Sequence, residues 1–322
     1  MKCVICKENK NLEFVSKYKL EIESDKKYFK NPDIYRCKIC DFGFAHPMPD
    51  ENDLNFFYRN IYRSEGRPPF WRQDIEQIES TLINDKNLNY LLYITTFIKF
   101  KNINTILDFG SGYGNLAFLL KKKFPHLKLY SCEDDKYCKT ILQKRGYQNF
   151  ENLNMINQKF DLIISLHSLE HLTDVSIFSK FKDLLTTKGS IFFEVPNCVE
   201  EYFNERAYDS PHLLFYTKKS FEKLSEVNGF QVINFTESSY TFNEDQKFQK
   251  ESQTEYYKRI DKKLSFIKLK IYIKKLFPKF LIDFLKKIIR IFFKENKKII
   301  INSFYNNSGD NCYIRGLIKK NN

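Results

Sequence analysis

Three glycines at two-residue spacing, Gly110, Gly112 and Gly114, follow a carboxylate, Asp108, near the end of an apolar run, Ile103 to Phe109. A periodic stretch, Leu116 to Phe124, begins at once. Strand, tight glycine turn and helix in that order form the place where an α/β sheet receives a nucleotide-like ligand. Without Cβ atoms, the turn brings backbone N–H groups close to that ligand. Two details set it apart from a dinucleotide site. The third glycine comes two residues after the second, not three, and Asp108 puts an anion at the strand end. A carboxylate there repels a pyrophosphate but suits a ligand carrying an ammonium and a sulfonium. A second apolar run, Leu127 to Cys132, ends at Glu133. An acidic residue about 20 residues past the glycines accepts hydrogen bonds from both ribose hydroxyls of an adenosine.

A different chemistry is written in the cysteines. Cys3 and Cys6 form one CxxC knuckle, Cys37 and Cys40 another. Four thiolates close a tetrahedral structural zinc site with no open position. A module of about 45 residues cannot hold itself by its core alone, so the metal would supply much of its folding energy. Nothing βαβ-like surrounds either pair, which argues against a redox CxxC. The remaining cysteines, Cys132, Cys138, Cys198 and Cys312, are scattered and read as core or surface residues.

Asp108-Phe109-Gly110-Ser111-Gly112-Tyr113-Gly114 resembles the first motif of class I S-adenosylmethionine (SAM) dependent methyltransferases. Phe160 to Leu172 resembles the family's fourth strand and the turn after it, and Gly189 to Asn197 the fifth strand. His212 to Thr217 before a helix, closed by Asn228-Gly229-Phe230, is also similar. The resemblance covers residues 100–240. It implies SAM as cofactor, with Asp108, Gly110, Ser111, Gly112 and Gly114 around its amino-acid end and Glu133 at the ribose. Asp134 would stand near the adenosine, Glu151 or Asn152 near the adenine, and His167 among the cofactor contacts. For a hydroxyl acceptor a proton must leave. The chain has five histidines. His46 and His126 fall away from the expected site, whereas His167 and His171 follow the fourth strand. His212 lies where the family usually meets its acceptor, so it is the first candidate for activating that group and His171 the second. Tyr58, Tyr62 and Trp71 could stack on an acceptor ring or simply pack between modules.

These groups need an α/β, Rossmann-like seven-stranded sheet with helices on both faces, preceded by a small zinc ribbon. The expected divisions are a ribbon at 1–48, a linker and helical lid at 49–99, and a methyltransferase domain at 100–322. A helical insertion is expected at 244–310, and a last strand, 311–319, antiparallel in the sheet. A ribbon in front of this core resembles bacterial enzymes that methylate sugars, many nucleotide-linked or in surface-polysaccharide pathways. The implied partner is a small-molecule or glycan substrate. Two other readings stand beside it: an RNA methyltransferase, and a binding module that keeps SAM without catalysis. The absence of an Asn/Asp-Pro-Pro-aromatic signature at Ser165 to Ser168 argues against nucleic acid, although a net charge of +13 suits phosphate. Residues 279–294 place Lys286, Lys287, Arg290 and Lys294 on one helical face and apolar side chains opposite, a pattern that can lie on an anionic membrane, dock on a partner or pack on the protein's own core. No signal-peptide pattern opens the chain, so the expected compartment is the cytoplasm, and the membrane reading of residues 279–294 would add peripheral contact at the inner membrane face.

Overall fold

The computed structural model describes residues 1–18, 20, 22–67, 72–199, 211–238 and 313–321. The amphipathic stretch at 279–294, most of the expected insertion at 244–310, and Trp71 lie outside the described residues. Contacts divide the chain into Met1–Glu237 with Cys312–Asn322, and Ser238–Asn311; the architecture below is that of the first unit.

Three short strands open the chain: β1 (Leu12–Lys17), β2 (Asp33–Cys37) and β3 (Gly43–His46). Five follow in the middle: β4 (Thr105–Phe109), β5 (Lys128–Cys132), β6 (Gln148–Phe150), β7 (Phe160–Leu166) and β8 (Leu185–Pro196). The last are β9 (Leu214–Phe215), β10 (Phe230–Ser238) and β11 (Tyr313–Lys320). Seven of these form one sheet in the order β10-β11-β8-β7-β4-β5-β6. Strands β4 to β8 pair in parallel, and β11 enters antiparallel against β8, as expected for the final strand.

The apolar runs explain why the parallel strands lie at the centre. Leu162, Ile163 and Ile164 in β7 and Ile191, Phe192 and Phe193 in β8 are fully buried, as strands covered on both faces must be. The helices between them show the complementary one-sided pattern. Asn115–Lys123 buries Leu116, Ala117, Leu119 and Leu120, and its last turn is all lysine. Lys136–Lys144 starts where Asp135 accepts from the Cys138 N–H at 2.8 Å. Lys218–Val227 starts from a reciprocal Thr217–Ser220 cap and turns Phe221 onto the Phe193 ring, 4.0 Å between centroids. Gly316 in β11 is what lets Phe193 lie flat there, since a Cβ would come within 2.2 Å of that ring.

The N-terminal module is not a separate bead. Its sheet runs β1-β2-β3-β9, and β9 comes from beyond β8. Phe44 pairs with Leu214, and the Ala45 N–H donates to the Leu213 carbonyl at 2.8 Å. Cys3, Cys37, Cys40, Phe42 and Phe44 share one apolar cluster with Phe181, Phe193, Tyr216 and Phe221. A two-residue strand carries no periodic signal of its own, so this interlocking is invisible in the sequence.

Candidate active site

The carboxyl ends of β4, β5 and β7 bring the sequence-marked groups together. Gly110, Gly112 and Gly114 all take positive φ, at 58°, 53° and 68°. They do so for different reasons. A Cβ on Gly110 would meet the Ser168 Cβ at 2.5 Å, and one on Gly114 would meet Leu142 and Tyr147 at 2.7 Å. Those two are packed against the protein itself. Gly112 faces only the end of a flexible side chain, Arg63 Nη2, at 3.3 Å. Its N–H donates to Glu133 Oε2 at 2.7 Å, while the Asp135 N–H holds Oε1 at 2.9 Å. The carboxylate expected at the ribose thus spans the glycine turn. Asn149, which the sequence did not mark, fixes the strand end behind it by accepting from the Glu133 N–H at 3.2 Å.

Orphaned buried groups mark a ligand cradle here. Ser111 Oγ and Arg63 Nε are buried and have no hydrogen-bond partner. The Arg63 guanidinium lies over the Tyr62 and Tyr113 rings, 4.9 and 5.5 Å from their centroids. Buried polar groups without partners are costly, and both are suited to the carboxylate and ammonium of an amino-acid moiety. Asp108 is 4% exposed beneath them. Burial first, and then the Glu133 carboxylate, raise its carboxyl to about 8, against a hydrogen bond from Tyr147. Arg63 was missed because a lone arginine in an aromatic segment has no spacing signature.

Asp134 bonds Arg59 at 3.1 Å and lies 3.7 Å from Lys139, tying the segment after Asp50 to the end of β5. Glu151 is exposed on a bend. His167 turns both ring nitrogens toward carboxylates: Nε2 is 2.9 Å from Glu194 and Nδ1 is 3.5 Å from Glu170. Tyr58 and Tyr62 lie against the His171 ring at 5.6 and 6.3 Å.

His171 and His212 do come together, with ring centroids 4.8 Å apart. Glu170 lies under both, its carboxylate 3.9 Å from His212 Nε2. Backbone geometry fixes the trio, since the Leu213 N–H donates to the Glu170 carbonyl at 2.7 Å. The trio adjoins the glycine turn through Ser168, whose hydroxyl donates to the Phe109 carbonyl at 3.1 Å. Burial, with His212 adding to it, pushes His171 down to about 4. Burial alone would raise Glu170, but the hydrogen-bonding pull of His167 and the His171 and His212 imidazoles bring it down to about 2. In the N-terminal module, Cys3, Cys6, Cys37 and Cys40 converge, with Cys3–Cys40 and Cys6–Cys37 sulfurs both 3.5 Å apart and none in a disulfide.

Comparison with known proteins places the chain. An uncharacterized protein of Methanocaldococcus jannaschii is 26% identical over 176 residues, covering 50% of this chain and 71% of that one. Coclaurine N-methyltransferase bound to N-methylheliamine and S-adenosylhomocysteine (SAH) superposes with a TM-score of 0.49 at 14% identity, over 84% of this chain and 86% of that one. A SAM-dependent methyltransferase from Archaeoglobus fulgidus gives 0.44 at 15% identity, over 77% and 100%. The family model of the methyltransferase domain matches residues 70–234, half the chain, and reaches from the segment before β4 to β10. The chain is a methyltransferase and belongs to the methyltransferase domain family.

Proposed function

We propose that this enzyme methylates a sugar hydroxyl, on a nucleotide-linked sugar or a growing surface glycan. The supporting observation is the junction of the glycine turn with an imidazole-rich, tyrosine-walled face through Ser168. When bound, SAM supplies an electrophilic methyl group on a sulfonium. Gly112, Ser111 and Arg63 would hold its amino-acid end, Asp108 its positive charge and Glu133 its ribose. His212, with His171 beside it, would activate the acceptor hydroxyl. A mass-spectrometric screen with nucleotide sugars tests the reading: a product heavier by one methyl group supports it, and a silent panel with intact SAM binding sinks the sugar assignment. In such an assay His212→Ala should lower turnover on the order of a hundredfold while SAH affinity stays the same. Undiminished turnover would remove His212 from that role.

Asp108 makes cofactor binding pH-dependent. Its carboxyl titrates at about 8 in the free protein, so near neutrality it is mostly protonated. A cationic ligand favours the ionised form. Affinity for SAM should therefore rise between roughly pH 6 and 9, with proton release on binding at pH 7. Calorimetry in buffers of different ionisation enthalpy reads that proton. Asp108→Asn should flatten the pH profile, and a flat wild-type profile would refute the effect.

The four cysteines fit one structural zinc by number, convergence and burial. Protein kept reduced should carry one zinc per chain that resists a mild chelator. Because those sulfurs lie in the cluster shared with Phe181 and Phe193, Cys37→Ser should cost both the metal and the cooperative melt. Elemental analysis with no such zinc would refute the site.

A further inference from the structure

The trio at the acceptor face has a chemistry that proton transfer alone does not use. Ligand atoms of Glu170, His171 and His212 all lie within 4.8 Å of one another. Glu170 is 1% exposed, and its carboxylate meets only imidazole nitrogens at long range, His167 Nδ1 at 3.5 Å and His212 Nε2 at 3.9 Å. His171 Nδ1 is buried without a hydrogen-bond partner, while the Pro211 carbonyl is available to the ring as an acceptor. A buried carboxylate so weakly engaged is costly, and a cation would complete it. An imidazole with one nitrogen directed to a carbonyl and the other unengaged is how metal-binding histidines are oriented.

We propose that Glu170, His171 and His212 hold a divalent transition-metal ion beside the methyl-transfer site. Two imidazoles and one carboxylate suit zinc, manganese or iron(II) rather than magnesium or calcium, which take oxygen ligands. Three protein ligands leave a position open, as catalytic sites do and closed structural sites do not. Ligands on one tetrahedral ion lie about 3.3–3.6 Å apart; Glu170 and His212 are 3.9 Å apart and the whole trio lies within 4.8 Å, so side-chain rotation would have to draw the three together by up to about an ångström. The backbone already fixes the approach. The Leu213 peptide joins Glu170 on one side and Ala45 in β3 on the other, at 2.7 and 2.8 Å. The cysteine module thereby positions His212.

This inference deepens the reading of the face as the acceptor site, and rests on it for the ion's role. A hydroxyl at the open position loses its proton to solvent more readily, because the ion stabilises the oxyanion. The oxygen pair then forms the bond to the methyl carbon. The carbon–sulfur pair stays on sulfur as the sulfonium becomes a neutral thioether, and one proton is released per turnover.

The test needs no acceptor. Full-length protein is treated with a mild chelator that leaves the cysteine-bound zinc in place, then titrated with Mn2+ and followed by paramagnetic resonance. One Mn2+ per chain should bind. Glu170→Gln, nearly isosteric, should weaken it at least a hundredfold, with SAH affinity unchanged by calorimetry. His171→Asn provides a second variant should Glu170→Gln fail to fold. Wild-type protein that takes up neither Mn2+ nor Zn2+ beyond the cysteine-bound equivalent would overturn the site, as would a folded variant that binds like wild type. Metal binding with a silent sugar panel would sink only the substrate reading. Sugar methylation by metal-free protein would sink only the ion.

Discussion

Gly112→Val should abolish detectable binding of SAM and SAH. Gly112 sits at φ 53°, where a β-branched residue is strained by roughly 1–2 kcal/mol from the backbone alone. Its added methyl groups would also enter the space in front of the Arg63 guanidinium, where a Cβ alone comes to 3.3 Å of Nη2. The N–H that now meets Glu133 would be displaced. Loss of two or three charge-assisted contacts at about 1.5–3 kcal/mol each lowers affinity by several orders of magnitude. Gly110→Ala and Gly114→Ala should behave differently. Their Cβ atoms would strike Ser168, and Leu142 with Tyr147, so the first loss should be in the melting temperature. Calorimetry beside thermal melts separates the cases. Gly112→Val that melts like wild type and binds SAH undiminished would remove the glycine turn from the cofactor site.

The glycine turn, the carboxylates after β4 and β5 and the final antiparallel strand were legible because each is local. An apolar run ending in a charged or glycine residue states where a strand stops and what stands there. The Asp108-to-Gly114 spacing needed no long-range information. Arg63 reaches Gly112 from about 50 residues upstream, and no spacing rule couples them. The trio joins Glu170 and His171 to His212 only because Leu213 bonds back to the Glu170 carbonyl. The turn expected after the fourth strand is there, with Leu169–His171 as a short 3-10 turn. What the string could not show is that the Glu170 side chain points inward, 1% exposed. One long-range pair was in principle readable. Glu194 interrupts the apolar run Ile191 to Val195, and Arg315 interrupts Tyr313 to Ile318. A lone charge in each of two core strands is best satisfied by its opposite.

That pair carries the second large effect. Arg315 stands directly across from Glu194 in the β8–β11 ladder, and its Nε donates to Glu194 Oε2 at 2.7 Å. Nη2 donates to the same oxygen, and Tyr90 donates to the other. The two residues are 2% and 0% exposed. Replacing Arg315 by methionine keeps the length and apolar stem but leaves the buried carboxylate to Tyr90 and His167 alone; breaking a buried pair in this way costs about 3–5 kcal/mol. For a domain of this size the melting temperature should fall by roughly 10 °C. The pH dependence gives a second readout. Burial pushes the Glu194 carboxyl up, and Arg315, followed by His167, more than offsets it and leaves it well below the ordinary range. In the wild type its stabilisation is present above the unfolded carboxyl pKa and fades only as pH falls through the depressed folded value. Arg315→Met removes the largest pull that holds the carboxyl down, so its folded value rises, and the deficit is largest at neutral pH and shrinks on acidification. Adding Glu194→Gln to Arg315→Met should recover part of the loss at neutral pH by removing the stranded charge. A single variant that melts within a degree or two of wild type, or a double variant less stable than the single one, would show that β11 is held by its apolar residues alone.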